Sequence, residues 1–412
     1  MFEAKSKIIK LFTKGKQILI VIVQSLKVRE IFTTNNKKTI EVELQTSKGS
    51  VRSSVPIGTS VGKYEAVYLP VSVAVRKFAM LRRELRTQRF ESISEVDAYL
   101  RLRDGTKNFS EIGGNVALAI SSAFLKAFAL EEGMEVFSYV AEVAGTKLRM
   151  PRPLSIVAGW RKGGIQEYLL VPVHQSSFRD SVEKISQAYK ELGTRLAKAD
   201  PSFTYGRNLE SGWITGLHGV RLLKLLEQVA NMHLLKIGID VAASSLWDGE
   251  RYVYSYADGM EKLDKREQLG FMEDLAKHFP IIYVEDPFHE DDFTYFSLLT
   301  HRLSPKLVCG DDLYATNVYR LQEGLRQKAS NAVLIKPNQV GTITDTVRVV
   351  REAQKHKLAV VVSHRSGETE DTLICHLAVG FGADYVKFGI AGERATKINE
   401  LLRIEEKLEC EF

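Results

Sequence analysis

The chain reads as an α/β protein in which a smaller α+β domain precedes a (β/α)8 barrel. Three observations predict this. Its 412 residues exceed an ordinary single domain but suit a barrel of about 250 residues joined to a smaller partner. The early part alternates apolar and polar residues with period two and then turns helical. The later part repeats short apolar runs, each closed by a charged or polar residue.

In chain order, Lys5, Lys7, Lys10, Lys14 and Lys16 precede the apolar run Ile18 to Val23. That run is too short to span a bilayer, and no small-residue cleavage site follows it. Residues 1–25 are therefore expected to form an extension, either an added strand or a poorly ordered segment. No other stretch approaches the length of a membrane span, so no membrane association is expected. The α+β domain is placed at 26–147. Lys27–Phe32, Thr39–Leu44 and Val51–Val55 alternate as strands, and Asn35-Asn36 and Lys48-Gly49 supply the turns of a meander. The apolar spacing then predicts a helix over 114–132. Pro151 and Pro153 mark a boundary near residue 148, which leaves 148–412 for the barrel.

In the barrel, strands are expected at Lys236–Asp240, Ile281–Glu285, Leu307–Asp311, Ala332–Lys336, Ala359–His364 and Tyr385–Lys387. Their terminal residues are 45, 26, 25, 28 and 23 positions apart, and most of these intervals hold one helix. Continuous apolar strands point to a parallel sheet buried on both faces. An open doubly wound sheet is the rival, but no glycine-rich dinucleotide loop follows any of these strands.

Composition narrows the function. The net charge of +6 is modest and spread along the chain. Its densest basic stretch, Lys5 to Lys16, has few aromatic residues to stack bases, so no nucleic-acid partner is expected. A positive balance suits a small anionic substrate. Cys309, Cys375 and Cys410 are far apart and lack metal-ligand spacing. They point to a reducing, cytoplasmic setting and away from disulfide or zinc scaffolding.

In a (β/α) barrel the reacting groups sit where strands end. Three successive strands end in Asp240, Glu285 and Asp311. Neighbouring strands lie about 4.8 Å apart, so the carboxylates converge, and a hard divalent cation would relieve their repulsion. Oxygen-only ligands favour magnesium. One acidic strand end can arise by chance or as a helix cap; three in succession point to a site. The next strand ends in Lys336, which beside a cation and out of water would lose its proton more readily and could serve as a base. A structural pairing with a carboxylate is the alternative. His364, Arg365, Ser366 and Lys387 follow, a set suited to phosphate or carboxylate.

These motifs resemble the enolase (phosphopyruvate hydratase) family. The resembling stretches, in the family's order, include Val55 to Glu65, Asp104 to Asn108, Asp240 to Ser244, Val284 to Phe288 and Gly310 to Leu313. Lys336 to Gly341, Ser363 to Asp371 and Leu401 to Glu406 continue the match, which covers roughly residues 26 to 408. The resemblance implies Mg-dependent dehydration of 2-phosphoglycerate, a small phosphorylated three-carbon acid, by a homodimer. It implies that Asp240, Glu285 and Asp311 hold one magnesium and that Ser60 reaches a second from a lid loop. Lys336 would take the carbon-2 proton, while Glu210, with Glu167 as companion, would help hydroxide leave. Arg365 and Ser366 would bind phosphate, and His364 and Lys387 would line the substrate.

Three loops depart from the pattern. The family's loop histidine is missing from Ala158 to Glu167, where Arg161 and Lys162 are the charged residues before Gln166. Thr33 to Lys38 replaces the family's Asp-Ser-Arg-Gly-Asn-Pro, and Leu209-Glu210-Ser211-Gly212-Trp213 replaces Asp-Glu-Gly-Gly-Phe. The alternative to a working enolase is therefore a divergent paralogue with little catalysis, acting as a binding or structural protein.

Overall fold

The computed structural model describes residues 11–13, 16–18, 20–59, 62–159, 163–174, 176–256 and 259–410. Contacts divide the chain into two compact units. One is Met1–Leu148 with Lys336–Arg348 and Arg365–Phe381; the other is Arg149–Ile335 with Val349–His364 and Gly382–Phe412.

The first unit contains the expected meander. Strands β1 (Ser25–Phe32), β2 (Lys38–Gln45) and β3 (Ser50–Ser54) pair antiparallel in that order. Asn36 takes the left-handed turn position at φ 58°, as short polar side chains can. Four helices follow: α1 (Val71–Leu85), α2 (Ile93–Asp104), α3 (Gly114–Glu132) and α4 (Val136–Ala144). Ser92 caps α2 by accepting from the Glu95 N–H, and Gly105 ends it at φ 70°. The α3 helix spans the residues expected from its pattern and packs on β2 and β3. Among the described residues it alone is long and apolar enough to cross a membrane, but 89% of its apolar window is buried in the protein. The run at residues 18–23 does not form one strand. Leu11–Thr13 pairs with Lys16–Ile18, and Val21 makes an isolated bridge to Phe90.

The second unit is a closed eight-stranded barrel. Its strands are β4 (Arg152–Gly159), β5 (Glu167–Pro172), β6 (Leu235–Asp240), β7 (Ile281–Glu285), β8 (Leu307–Gly310), β9 (Ala332–Ile335), β10 (Ala359–Ser363) and β11 (Tyr385–Gly389). Seven run parallel, but β5 is antiparallel to both neighbours, β4 and β6. The reason is length. Residues 160–166 are too few for a parallel crossover, which needs about a dozen or more residues, so the chain turns back as a hairpin. The long interval between Asp240 and Glu285 holds a hairpin (Tyr252–Tyr256 with Gly259–Leu263) and the helix Lys265–His278. Leu154, Ile156, Leu169, Val171, Tyr283, Cys309, Ala332, Leu334 and Val361 fill a common core, and alternation along each strand selects the inward members.

Candidate active site

Strand direction delivers the acidic groups to one end of the barrel. Asp240 and Glu285 are the last residues of β6 and β7 and lie in register. Because β5 runs the other way, its first residue, Glu167, also pairs in register with Asp240. Lys387, from β11, reaches all three carboxylates. Its Nζ lies 2.6 Å from Asp240 Oδ2, 2.8 Å from Glu285 Oε1 and 2.9 Å from Glu167 Oε2. All four residues are at most 5% exposed. Burial opposes the ammonium, but Asp240, Glu167 and Glu285 outweigh it and hold Lys387 well above the usual lysine range. Burial, with Asp240 and Glu210 nearby, pushes the Glu167 carboxyl up to about 7 despite the pull of Lys387.

Asp311 follows β8 and is grouped with two further aspartates. Ligand atoms of Asp286, Asp311 and Asp312 lie within 4.8 Å of one another. Asp286 sits at φ 40°, and its two oxygens accept the Asp311 N–H at 3.0 Å and the Asp312 N–H at 2.8 Å. It thereby shapes the turn that carries Asp311. Asp286 was not among the expected site residues, although a second acidic residue follows the strand end both here and at Asp312. Burial, then repulsion from Asp312, Asp311, Glu285 and Asp240, raises the Asp286 carboxyl well above the carboxylate range.

Glu210 arrives on a tightly specified loop. Asn208 Oδ1 accepts the N–H groups of Glu210 (2.9 Å) and Gly212 (2.8 Å), and Ser211 adopts φ 66°. Trp213 anchors the loop by stacking on Tyr189 at 4.4 Å and donating its indole N–H to Tyr189 O. Gly389 of β11 lacks a side chain where a Cβ would come within 2.1 Å of Glu210 O. His364 Nε2 then lies 2.6 Å from Glu210 Oε2, and the buried Arg394 guanidinium lies 3.5 Å from the same oxygen. Burial would raise Glu210, but His364, Arg394 and Lys387 together bring it down to about 2. Arg394 carried no signal in the sequence beyond being one of many arginines.

Lys336, Arg365 and Ser366 belong to the first unit. Lys336 follows β9 directly and caps the short turn of helix Pro337–Val340. The Arg365 guanidinium donates to both oxygens of Glu65, at 3.1 and 3.3 Å, in a buried fork. Gly58 makes room for it, since a Cβ there would lie 1.8 Å from Arg365 Nη2. Ser366 Oγ accepts the Thr59 N–H at 2.9 Å and also contacts the Thr59 hydroxyl. Glu65 carries no sign of this role in the sequence, since its partnership with Arg365 spans 300 positions. Ser60 lies outside the described residues, as do Arg161 and Lys162 of the loop without the histidine.

The barrel group suits a hard cation. Its donors are carboxylate oxygens, and ligand atoms of Asp286, Asp311 and Asp312 converge within 4.8 Å of one another. Beside that anionic cluster stand one carboxyl able to carry a proton near neutral pH and one held ionised. Such a set can bind a metal-chelated anion and move a proton.

Comparison with known proteins agrees with this geometry. Residues 23–140 match the family description "Enolase, N-terminal domain", and residues 154–411 match "Enolase, C-terminal TIM barrel domain". The enolase of Pyrobaculum aerophilum is 38% identical over 405 residues, covering 92% of this chain and 96% of that protein. The enolase of Methanosphaera stadtmanae is 35% identical, covering 94% of this chain and 97% of its own. That of Archaeoglobus fulgidus is 36% identical, covering 94% and 98%. Matched along nearly its whole length, with the barrel and the acidic strand ends in place, the chain belongs to the enolase family of carbon–oxygen lyases.

Proposed function

We propose that this chain converts 2-phosphoglycerate to phosphoenolpyruvate in glycolysis and gluconeogenesis, using magnesium held by Asp240, Glu285 and Asp311. The observation that carries the reading is the buried set of Asp240, Glu285 and Glu167 around Lys387, with the Glu210–His364 pair in the same unit. Magnesium held by Asp240, Glu285 and Asp311 would supply positive charge toward the substrate carboxylate as carbon 2 loses its proton.

The chain's own residues do the rest. Lys336 accepts the proton from carbon 2. Hydroxide then leaves carbon 3 and takes up a proton, so the net loss is one water. Glu167, with its carboxyl pushed up to about 7, can hold that proton near neutral pH. Glu210, ionised between His364 and Arg394, orients the leaving group and keeps the imidazole in place. Arg365 and Ser366 bind the phosphate, with Glu65 holding the guanidinium in its fork. His364 and Lys387 line the substrate, and Ser60 would be a further oxygen ligand for the metal. A homodimer in the cytoplasm is part of this proposal; Cys309, Cys375 and Cys410, none of them in a disulfide, fit a reducing setting.

Exchange of the carbon-2 proton with solvent tests the reading. Lys336→Ala should abolish exchange while leaving the fold and magnesium affinity unchanged. Exchange at the parent rate would assign the base elsewhere.

A further inference from the structure

We infer that Tyr283 is a positioning residue for Glu285, fixing that carboxylate in the orientation in which it ligates a divalent cation. The inference rests on the magnesium reading above and extends it to a residue inside the barrel.

Tyr283 stands two residues before Glu285 on β7, so both side chains face the barrel interior. Both are fully buried. A phenol needs space there, and the neighbouring strand provides it. Tyr283 is in register with Gly238 of β6, where a Cβ would lie 3.3 Å from Tyr283 Cδ1 and 3.3 Å from Leu169 Cβ. The missing side chain leaves the ring its place.

A hydroxyl among apolar side chains must find an acceptor or forfeit its hydration. The Tyr283 hydroxyl donates to Glu285 Oε2 at 2.7 Å. The other oxygen, Oε1, accepts from Lys387 Nζ at 2.8 Å. Two donors from different strands thus hold the two oxygens, and the carboxylate plane cannot rotate without breaking one of these bonds. A carboxylate has about four lone-pair sites, so accepting from these two donors does not by itself prevent it from ligating a cation. Cys309, buried and in register with Glu285 on β8, packs in the same barrel core as the phenol.

A phenol that only fills space would affect stability and leave metal affinity alone. A positioning phenol acts on affinity, because groups that orient metal ligands typically contribute about 10-fold or more. Magnesium titration calorimetry on the parent, Tyr283→Phe and Gly238→Ala separates these roles. Tyr283→Phe keeps the ring and should weaken magnesium binding about 10-fold, with little change in melting temperature. Gly238→Ala keeps both partners and only crowds the ring, so it should weaken binding less but in the same direction. Unchanged affinity in a folded Tyr283→Phe variant overturns the inference. If that variant does not fold, unchanged affinity in Gly238→Ala overturns it instead. A parent that binds no magnesium overturns the metal reading itself, and this inference with it.

Discussion

Replacing Lys387 by methionine removes the ammonium that Asp240, Glu285 and Glu167 share. At an effective dielectric of about 20, one contact near 2.8 Å contributes about 6 kcal/mol of gross attraction. Three such contacts, at 2.6, 2.8 and 2.9 Å, exceed the cost of desolvating one ammonium. Removing the cation leaves three buried carboxylates facing one another, for which the expected loss is about 3–5 kcal/mol. Urea titration in metal-free buffer at neutral pH measures it. Magnesium should then stabilise Lys387→Met more than it stabilises the parent, because the variant lacks the positive charge that competes for the same oxygens. A loss below about 1 kcal/mol, or equal stabilisation of both proteins by magnesium, would refute the electrostatic account of this cluster.

Two further predictions concern the scaffold. Burial pushes Asp97 up to about 6, against hydrogen bonds from Ser121 and Thr344. Since its folded value lies above the ordinary aspartate value of about 3.8, the folded state binds the proton more tightly. This contribution is fully present below about pH 4 and is lost as pH rises through about 6, by roughly 3 kcal/mol. Asp97→Asn should therefore gain stability relative to the parent between those limits; a constant difference across a series of urea titrations would contradict this. Ser211 occupies φ 66°, where glycine stands in the family's pattern. Ser211→Gly should raise stability by up to about 1 kcal/mol through relief of that conformation, and a loss of similar size in thermal unfolding would show that the hydroxyl contributes more than the strain removes.

The meander, α3 and six barrel strands were legible because each carries its own period: two in β1 to β3, and an unbroken apolar run in β6 to β11. β4 and β5 were not. Residues 154–158 follow two prolines and end in the glycine turn, and Glu167 opens its strand where the other acidic residues close theirs. The direction of β5 depends on a loop length rather than on any strand residue. Among the site residues, strand ends announced Asp240, Glu285, Asp311 and Lys387. The bonds between them did not follow from that list. Lys387, expected to line the substrate, also binds three carboxylates, and Asp311 shares its turn with Asp286 and Asp312. Arg365 and Glu65 meet through tertiary structure alone, as do Glu210 and Arg394. Pairings across such distances leave no periodic trace in a single sequence.

The proposed reaction at this end of the barrel is a magnesium-dependent dehydration. Ultraviolet detection of phosphoenolpyruvate after mixing the folded protein with 2-phosphoglycerate and magnesium tests it most directly. Product should accumulate, stop on chelation of the metal, and resume when magnesium is restored. A folded, magnesium-saturated protein that forms no phosphoenolpyruvate would contradict the account.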